Sequence, residues 1–385
     1  MLIAPSLSLY IHIPWCVQKC PYCDFNSHAL KDSIPEQDYI TELIKDLDND
    51  IQRFHLTHRS LHSIFIGGGT PSLFSASAIE SLLSQVLSRF EHNRNIEITL
   101  EANPGTVEND KFIGFAQAGI SRLSIGVQSF ASEKLIKLGR IHDSEQAKNA
   151  ANLAHQAGIN SFNLDLMHGL PDQSLTNALE DLKTAISLNP QHLSWYQLTI
   201  EPNTAFYSKP PVLPQDDELW AIQQQGVELL EKAGYQQYEI SAYAQAGFEC
   251  QHNLNYWQFG DYLGIGCGAH GKITDTIQGI IYRTVKVKHP KGYLDKNRVH
   301  LDKLQQVTEN ERSFEFMMNR LRLFSPFTLN EFEQRTGINS QAILPQLQQA
   351  KQQGLLIPIK QSNTDAWQVT NKGHRFLNDL LALFL

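Results

Sequence analysis

The stretch IHIPWCVQKCPYCDFNSH (11–28) places three of the five cysteines within eight residues, directly behind a short apolar run. The spacing Cys16, Cys20, Cys23 is CxxxCxxC. Thiolates are ligands for iron–sulfur clusters and for zinc. Structural zinc sites pair one CxxC with a second, distant Cys or Cys/His pair. This sequence has no second CxxC and no Cys/His pair at finger spacing. Three thiolates leave one iron of a four-iron cube without a protein ligand, open to a chelating molecule. The blander alternatives are a zinc knuckle or three buried thiols.

Outward from this loop, one pattern recurs through the first 200 residues. An apolar or β-branched run is followed by a Gly, Pro or Asn break and then a helical stretch. The runs are SLYIHIP (8–14), SIFIGGG (63–69), IEITLEANP (96–104), RLSIGVQS (122–129), SFNLDLMHG (161–169) and HLSWYQLTIEP (192–202). In the first helical stretch Ile40, Leu43, Leu47, Ile51 and Phe54 share a face. Alternating strands and helices imply βαβ units on a parallel sheet. Six units are too few for a complete eight-fold barrel. The expectation is therefore an α/β fold, a partial (β/α)6 barrel, although a doubly wound sheet fits the periodicity equally well. We expect the barrel over 1–235, an irregular barrel-extending region over 236–305, and a smaller, mainly helical C-terminal domain, winged-helix-like, over 306–385.

Composition limits the function classes. The 385 residues are 42% hydrophobic and 19% charged, with a formal net charge of −8 and no Lys/Arg cluster. A phosphate-binding stripe is missing, so no nucleic-acid partner is expected. No apolar run approaches the ~18 residues of a membrane span, and the N-terminus reads as structure rather than a signal peptide. The odd, clustered cysteine set is unlike a secreted disulfide framework. It reads as that of a reducing, cytoplasmic protein.

Other motifs carry chemistry with less specificity. GGGTP (67–71) lets backbone approach a ligand closely, or is a plain βα turn in which Thr70 caps the next helix. Glu101, Gln128, Arg140 and Asp165 place polar groups at the ends of successive strands, the rim where parallel α/β barrels bind ligands. HNLNYW (252–257) offers an imidazole beside aromatics, fit to ligate haem iron and cover a porphyrin, or simply a loop histidine beside a small core cluster. Within GIGCGAHG (264–271), a glycine-rich turn, Cys267 reads as a packed small residue, with a fourth cluster ligand as the alternative. His270 faces either the adenosine pocket or the haem.

With these residues assembled, the chain resembles the radical-SAM family of oxygen-independent coproporphyrinogen III oxidase-like proteins, nearest its haem-chaperone branch. The resemblance runs from Tyr10 to His270 and extends to the C-terminus. It implies a [4Fe-4S] cluster on Cys16, Cys20 and Cys23, its open iron chelated by S-adenosyl-L-methionine. Reduction of that cluster can cleave the sulfonium to a 5′-deoxyadenosyl radical. By the same resemblance Gly68, Gly69 and Thr70 meet the amino group of S-adenosylmethionine. Tyr10, Tyr22, Glu101, Gln128, Arg140 and Asp165 match its other contacts, which in the oxidases form two adjacent sites. HNLNYW resembles the branch signature HNxxYW, which makes His252 the haem ligand. The oxidases carry a further cysteine two residues after the third, where this chain has Phe25. That departure puts coproporphyrinogen decarboxylation in doubt and matches the chaperones, which hand haem to respiratory haem proteins. The implied partners are haem, haem-acceptor proteins and an electron donor for the cluster. The resemblance is also compatible with a homodimer.

Overall fold

The computed structural model describes residues 2–106, 109–361 and 364–385. Six strands follow the six apolar runs: β1 (Leu7–Ile13), β2 (Ser60–Gly68), β3 (Glu91–Ala102), β4 (Arg122–Gln128), β5 (Ser161–His168) and β6 (His192–Gln197). Each pairs in parallel with the next. Between them run α1 (Glu36–Arg53), α2 (Ala76–Leu87), α3 (Asn109–Gln117), α4 (Ser144–Gln156) and α5 (Leu175–Ser187). α6 (Asp216–Lys232) follows β6. Local chemistry starts several of these helices. Asp143 with Gln146 and Ser174 with Asn177 form capping boxes at α4 and α5, and Ser75 caps α2.

The sheet is longer than the six runs. It continues through β7 (Gln236–Glu239), β8 (Ala242–Ala244), β9 (Asp261–Gly266), β10 (His270–Asp275), β11 (Ile280–Lys286) and β12 (Leu301–Val307). Among the described residues it has twelve strands in the order β12-β11-β10-β9-β1-β2-β3-β4-β5-β6-β8-β7. The edge strands β12 and β7 do not pair, so the barrel is open. β9 pairs in parallel with β1, adding a seventh parallel strand. The glycine-rich stretch read as a turn is thus half strand, and only Cys267–Ala269 turns the chain into β10. Gly264 explains the packing: a Cβ there would lie within 3.1 Å of the His270 backbone.

Inward and outward faces of the parallel strands differ in kind. On β1 the outward Leu7, Leu9, Ile11 and Ile13 belong to the main core, whereas Tyr10 and His12 line cavities. β4 repeats this with Leu123, Ile125 and Val127 outward and Arg122, Ser124, Gly126 and Gln128 inward. β5 does so with Phe162 and Leu164 outward and Asn163 and Asp165 inward. This period-2 alternation packs helices on the outside and leaves a polar interior for a ligand.

After β12 come α8 (Glu309–Arg320), α9 (Leu329–Thr336) and α10 (Leu344–Gln352). A three-stranded sheet accompanies them, with β15 (Thr364–Val369) between β13 (Phe327–Thr328) and β14 (Leu356–Gln361). Their core is built on Phe316, Phe327, Phe332, Leu347 and Trp367 and is shared with Leu2, with Phe259, and with Ile281 and Val307 of the large sheet. No helix among the described residues is long and apolar enough to cross a membrane.

Candidate functional site

The cysteine loop leaves and returns at one place. Cys16 ends the short strand Trp15–Cys16, which pairs with His28–Ala29. Inside the loop the Cys23 N–H donates to the Cys20 carbonyl at 3.1 Å. Asn26 fastens the loop to the barrel, its Nδ2 donating to the carbonyls of Cys267 and Lys288, each at 2.9 Å. All three thiols are partly exposed and line one cavity of about 580 Å³. Arg140 Nη1 stands 3.6 Å from Cys20 Sγ. Burial pushes the Cys16 and Cys23 thiols up, opposed at Cys16 by the Thr70 hydroxyl and at Cys23 by Ser27. A metal reverses that cost, because a coordinating thiol is deprotonated outright. Among the described residues no three His, Cys, Asp or Glu side chains converge on a point for a single metal ion. Three thiols spread round one cavity, beside a guanidinium, suit a four-iron cube that takes one thiolate per iron.

The turn after β2 brings backbone to this loop. Gly68 has φ +114°, and a Cβ there would lie 2.5 Å from the His12 ring; at Gly69 it would lie 2.5 Å from the Trp15 carbonyl oxygen. The Gly69 and Thr70 N–H groups donate to the carbonyls of Ile13 and Trp15. Thr70 stands at the N-cap position of the short 3-10 turn Pro71–Leu73, with Pro71 at its first position, but its side chain makes no cap hydrogen bond there; Ser75 caps α2, and the Thr70 hydroxyl reaches Cys16.

Behind the glycines, Tyr10 OH lies 3.0 Å from His12 Nδ1, and His12 Nε2 lies 2.9 Å from the Asn26 carbonyl. A carbonyl only accepts, so Nε2 carries the proton, Nδ1 is bare, and Tyr10 donates to it. Tyr10 therefore presents an acceptor oxygen to the cavity. Burial holds His12 down at about 4, neutral at ordinary pH.

Two acids share the cavity wall. Glu101, on β3, accepts the Gly68 N–H at 2.9 Å. Burial first, and the Asp165 charge second, push its carboxyl up to about 7. Asp165 accepts from Ser124 Oγ at 3.0 Å and Asn163 Nδ2 at 2.8 Å, and burial raises it too. Asp165 stands at the middle of β5, not at its end, because the inward face alternates along the whole strand. Two half-buried acids on one cavity wall, the Asp165 charge raising the Glu101 carboxyl, favour a ligand that brings positive charge. Gln128 ends β4 with φ +70° at a register shift, a bulge that re-aims its side chain. Its Oε1 accepts from Tyr196 OH at 2.9 Å.

α7 (Gln251–Trp257) carries HNLNYW as a helix rather than a loop. The His252 N–H donates to Glu97 Oε1 at 3.0 Å, and its Nδ1 lies 3.2 Å from Ser63 Oγ. Ser63 continues to Ser8 at 2.8 Å, and Ser8 accepts from Asn255 Nδ2 at 2.9 Å. Burial lowers His252 to about 3, so the ring is neutral. Nε2 has no hydrogen-bond partner among the described residues. His252 also borders a second cavity of about 840 Å³, lined by Phe25, Tyr256, Tyr262, His270 and Lys288 among others. Phe25 is 60% exposed and lines both.

The structure thus gathers round the first cavity the residues matched to the cluster, to S-adenosylmethionine and to haem: Tyr10, Cys16, Cys20, Tyr22, Cys23, Gly68, Gly69, Thr70, Glu101, Gln128, Arg140, Asp165 and His252; His270 lines the second cavity instead. Cys267 stands apart in the main core, its Sγ donating to the Lys288 carbonyl at 3.0 Å.

With that geometry in view, the comparisons with known proteins are specific. The sequence model of the Radical SAM superfamily matches residues 10–182, and that of the HemN C-terminal domain matches 307–376. The chain is 59% identical over 383 residues to a protein of Haemophilus influenzae named heme chaperone HemW, covering 99% of this chain and 98% of that one. It is 57% identical over 385 residues to the HemW of Escherichia coli, covering all of both chains. The chain belongs to the HemW family of radical SAM proteins. A HemW of Bacillus subtilis is 34% identical over 391 residues, covering 98% of this chain and 99% of that one. Among solved structures, coproporphyrinogen III oxidase (HemN) from Escherichia coli superposes with a TM-score of 0.81 at 24% identity. It covers 99% of this chain and 90% of that chain, which establishes a shared fold. Membership of this family implies a [4Fe-4S] cluster and S-adenosylmethionine.

Against this HemW-family frame, several residues that shape the site had escaped notice in the sequence. His12 and Asn26 sit inside the quoted stretch, yet nothing in the spacing says that they hold Tyr10 and the loop. Ser63 comes from the polar side of β2. Arg322, which also lines the first cavity, carries no motif at all.

Proposed function

We propose that this chain is a haem chaperone, which binds haem through His252 and passes it to haem-dependent respiratory proteins. Its radical-SAM scaffold carries a [4Fe-4S] cluster on Cys16, Cys20 and Cys23. Tyr10, Tyr22, Gly68, Gly69, Thr70, Glu101, Gln128, Arg140 and Asp165 hold S-adenosylmethionine. The observation that carries the reading is His252: a neutral imidazole with Nδ1 on Ser63 and with Nε2 unpartnered among the described residues, at the boundary of two cavities. Neutral imidazole is the form that ligates iron. The relatives named heme chaperone support the same reading.

This chain's own groups set the conditions. Glu101 and Asp165 supply negative charge for the ammonium and sulfonium centres of the cofactor. Arg140 offsets the negative charge of the ligated Cys20. When bound and reduced by an external electron donor, the cluster supplies an electron for cleaving the sulfonium. Tyr256 and Tyr262 flank the larger cavity with aromatic surface for a tetrapyrrole face.

The second reading, an oxygen-independent coproporphyrinogen III oxidase, has the shared fold in its favour. Against it stands Phe25, where the oxidases carry a further cysteine. The test is His252→Ala in protein anaerobically loaded with iron and sulfide. We expect a shifted Soret band or weakened haem retention with unchanged cluster iron. Native haem spectrum and affinity in the variant would remove His252 from the haem site.

A further inference from the structure

Arg322 lies on the turn that follows α8, outside the barrel in sequence, yet its side chain lines the same cavity as the cysteines and HNLNYW. The turn is anchored there by backbone: Leu323 bridges to Glu239, and the Phe324 N–H donates to the Tyr238 carbonyl at 3.0 Å. The guanidinium lies over the Trp257 ring, 4.3 Å from its centroid. Stacking uses the face of the guanidinium and leaves its N–H edge for a ligand. Among the described residues its ion-pair partner is Glu239, whose Oε2 lies 3.7 Å from Nη2, longer than a direct hydrogen bond. Among the described residues the buried Arg322 Nε and Glu239 Oε2 atoms have no hydrogen-bond partner. A half-buried guanidinium, held to Glu239 only by a long ion pair and facing a cavity, keeps N–H donors that an anionic ligand would complete.

We propose that Arg322 is a carboxylate-binding residue of the ligand cavity, through which the C-terminal domain grips the bound molecule. The inference rests on the chaperone reading for its first candidate, a haem propionate. Trp257, which carries the guanidinium, is five residues beyond His252 on α7, about 7.5 Å along the helix axis. His252, Trp257 and Arg322 all line the first cavity, so a porphyrin coordinated by His252 would share that space with the guanidinium. The same chemistry is offered by the amino-acid carboxylate of S-adenosylmethionine. The cation seen beside the cysteines is Arg140, on Cys20, whereas Arg322 belongs to the HNLNYW side.

The experiment titrates cluster-loaded protein with haem, with haem dimethyl ester and with S-adenosylmethionine, in native, R322Q and R322K forms. The readouts are the Soret change for the porphyrins and equilibrium dialysis for S-adenosylmethionine. A lost charge-assisted pair is worth about tenfold to a hundredfold in Kd. We expect R322Q to lose that much affinity for haem, to bind the dimethyl ester as native protein does, and R322K to recover only part of the loss. A loss confined to S-adenosylmethionine supports the carboxylate site and moves its source to the cofactor. Equal losses for haem and its ester, or no loss for any ligand, overturn the inference and leave Arg322 as a latch between domains. If native protein binds no haem, the chaperone reading fails, and the S-adenosylmethionine titration still decides Arg322.

Discussion

Replacing Glu101 with Gln should weaken S-adenosylmethionine binding and abolish its pH dependence. Glu101 is held by the Gly68 N–H at 2.9 Å, and burial together with Asp165 pushes its carboxyl up to about 7. Tyr10 and Tyr196 also feel its charge, and both are themselves pushed up by burial, so they stay neutral across this range. The cofactor brings an ammonium and a sulfonium, so the ionised carboxylate binds it and the protonated one does not. Affinity of the native protein should fall as pH drops below about 7, approaching tenfold per pH unit. Glu101→Gln has no proton to release. Its affinity should be flat with pH and roughly 10- to 100-fold weaker than native at alkaline pH, the worth of a hydrogen bond to a charged group. Ligand-free stability should move in the opposite sense. The carboxyl titrates near 4.5 when unfolded and about 7 when folded, so between those values the folded state holds the extra proton. This group's contribution to stability therefore declines as pH rises through that window, and Glu101→Gln should remove the decline. Anaerobic equilibrium dialysis across the pH range, with iron content checked in each variant, measures the first effect. A native affinity independent of pH, or a Glu101→Gln variant that binds as tightly as native protein, would refute the reasoning.

Other perturbations have equally definite outcomes. Cys20→Ser should abolish the brown iron–sulfur absorbance and bring iron close to zero, because a hard hydroxyl replaces one of three soft thiolates; a variant with full four-iron content sinks the assignment. Ser63→Ala should cost haem affinity about 1 kcal/mol, roughly fivefold, by releasing His252 Nδ1; an unchanged Soret titration would show that the ring needs no such support. Lys286, fully buried, bridges Asp46 at 2.5 Å and Asp50 at 2.7 Å. Lys286→Ala removes the shared cation of two buried carboxylates, leaving Asp46 with the Tyr293 hydroxyl and Asp50 with Arg53 at 3.8 Å, and should cost about 3 kcal/mol in urea unfolding, with a loss under about 1 kcal/mol counting against a structural role.

Much of this was legible because strand and cofactor chemistry are local. CxxxCxxC is a spacing of thiols on one loop, and the six apolar runs became six parallel strands. The alternation of Leu7, Leu9 and Ile11 with Ser8, Tyr10 and His12 was also in plain view. It already announces that the barrel interior is polar. What stayed hidden depends on long-range pairing. β9 was masked by its glycines, which read as a turn and are needed because β10 crosses so close to Gly264. The hydroxyl of Thr70 suits a helix cap equally well, and only the approach of Cys16 decides its role. Arg322 is more than 60 residues from the helix it stacks on, and no local signal reports such a contact.

The central claim is that this radical-SAM scaffold carries haem and does not make it. The direct measurement incubates anaerobically reconstituted, reduced protein with S-adenosylmethionine and, separately, haem or coproporphyrinogen III. Bound haem is followed by its Soret band and porphyrin products by chromatography. The account predicts a stable haem complex and unaltered coproporphyrinogen. Conversion of coproporphyrinogen to protoporphyrinogen, with release of carbon dioxide, would contradict it.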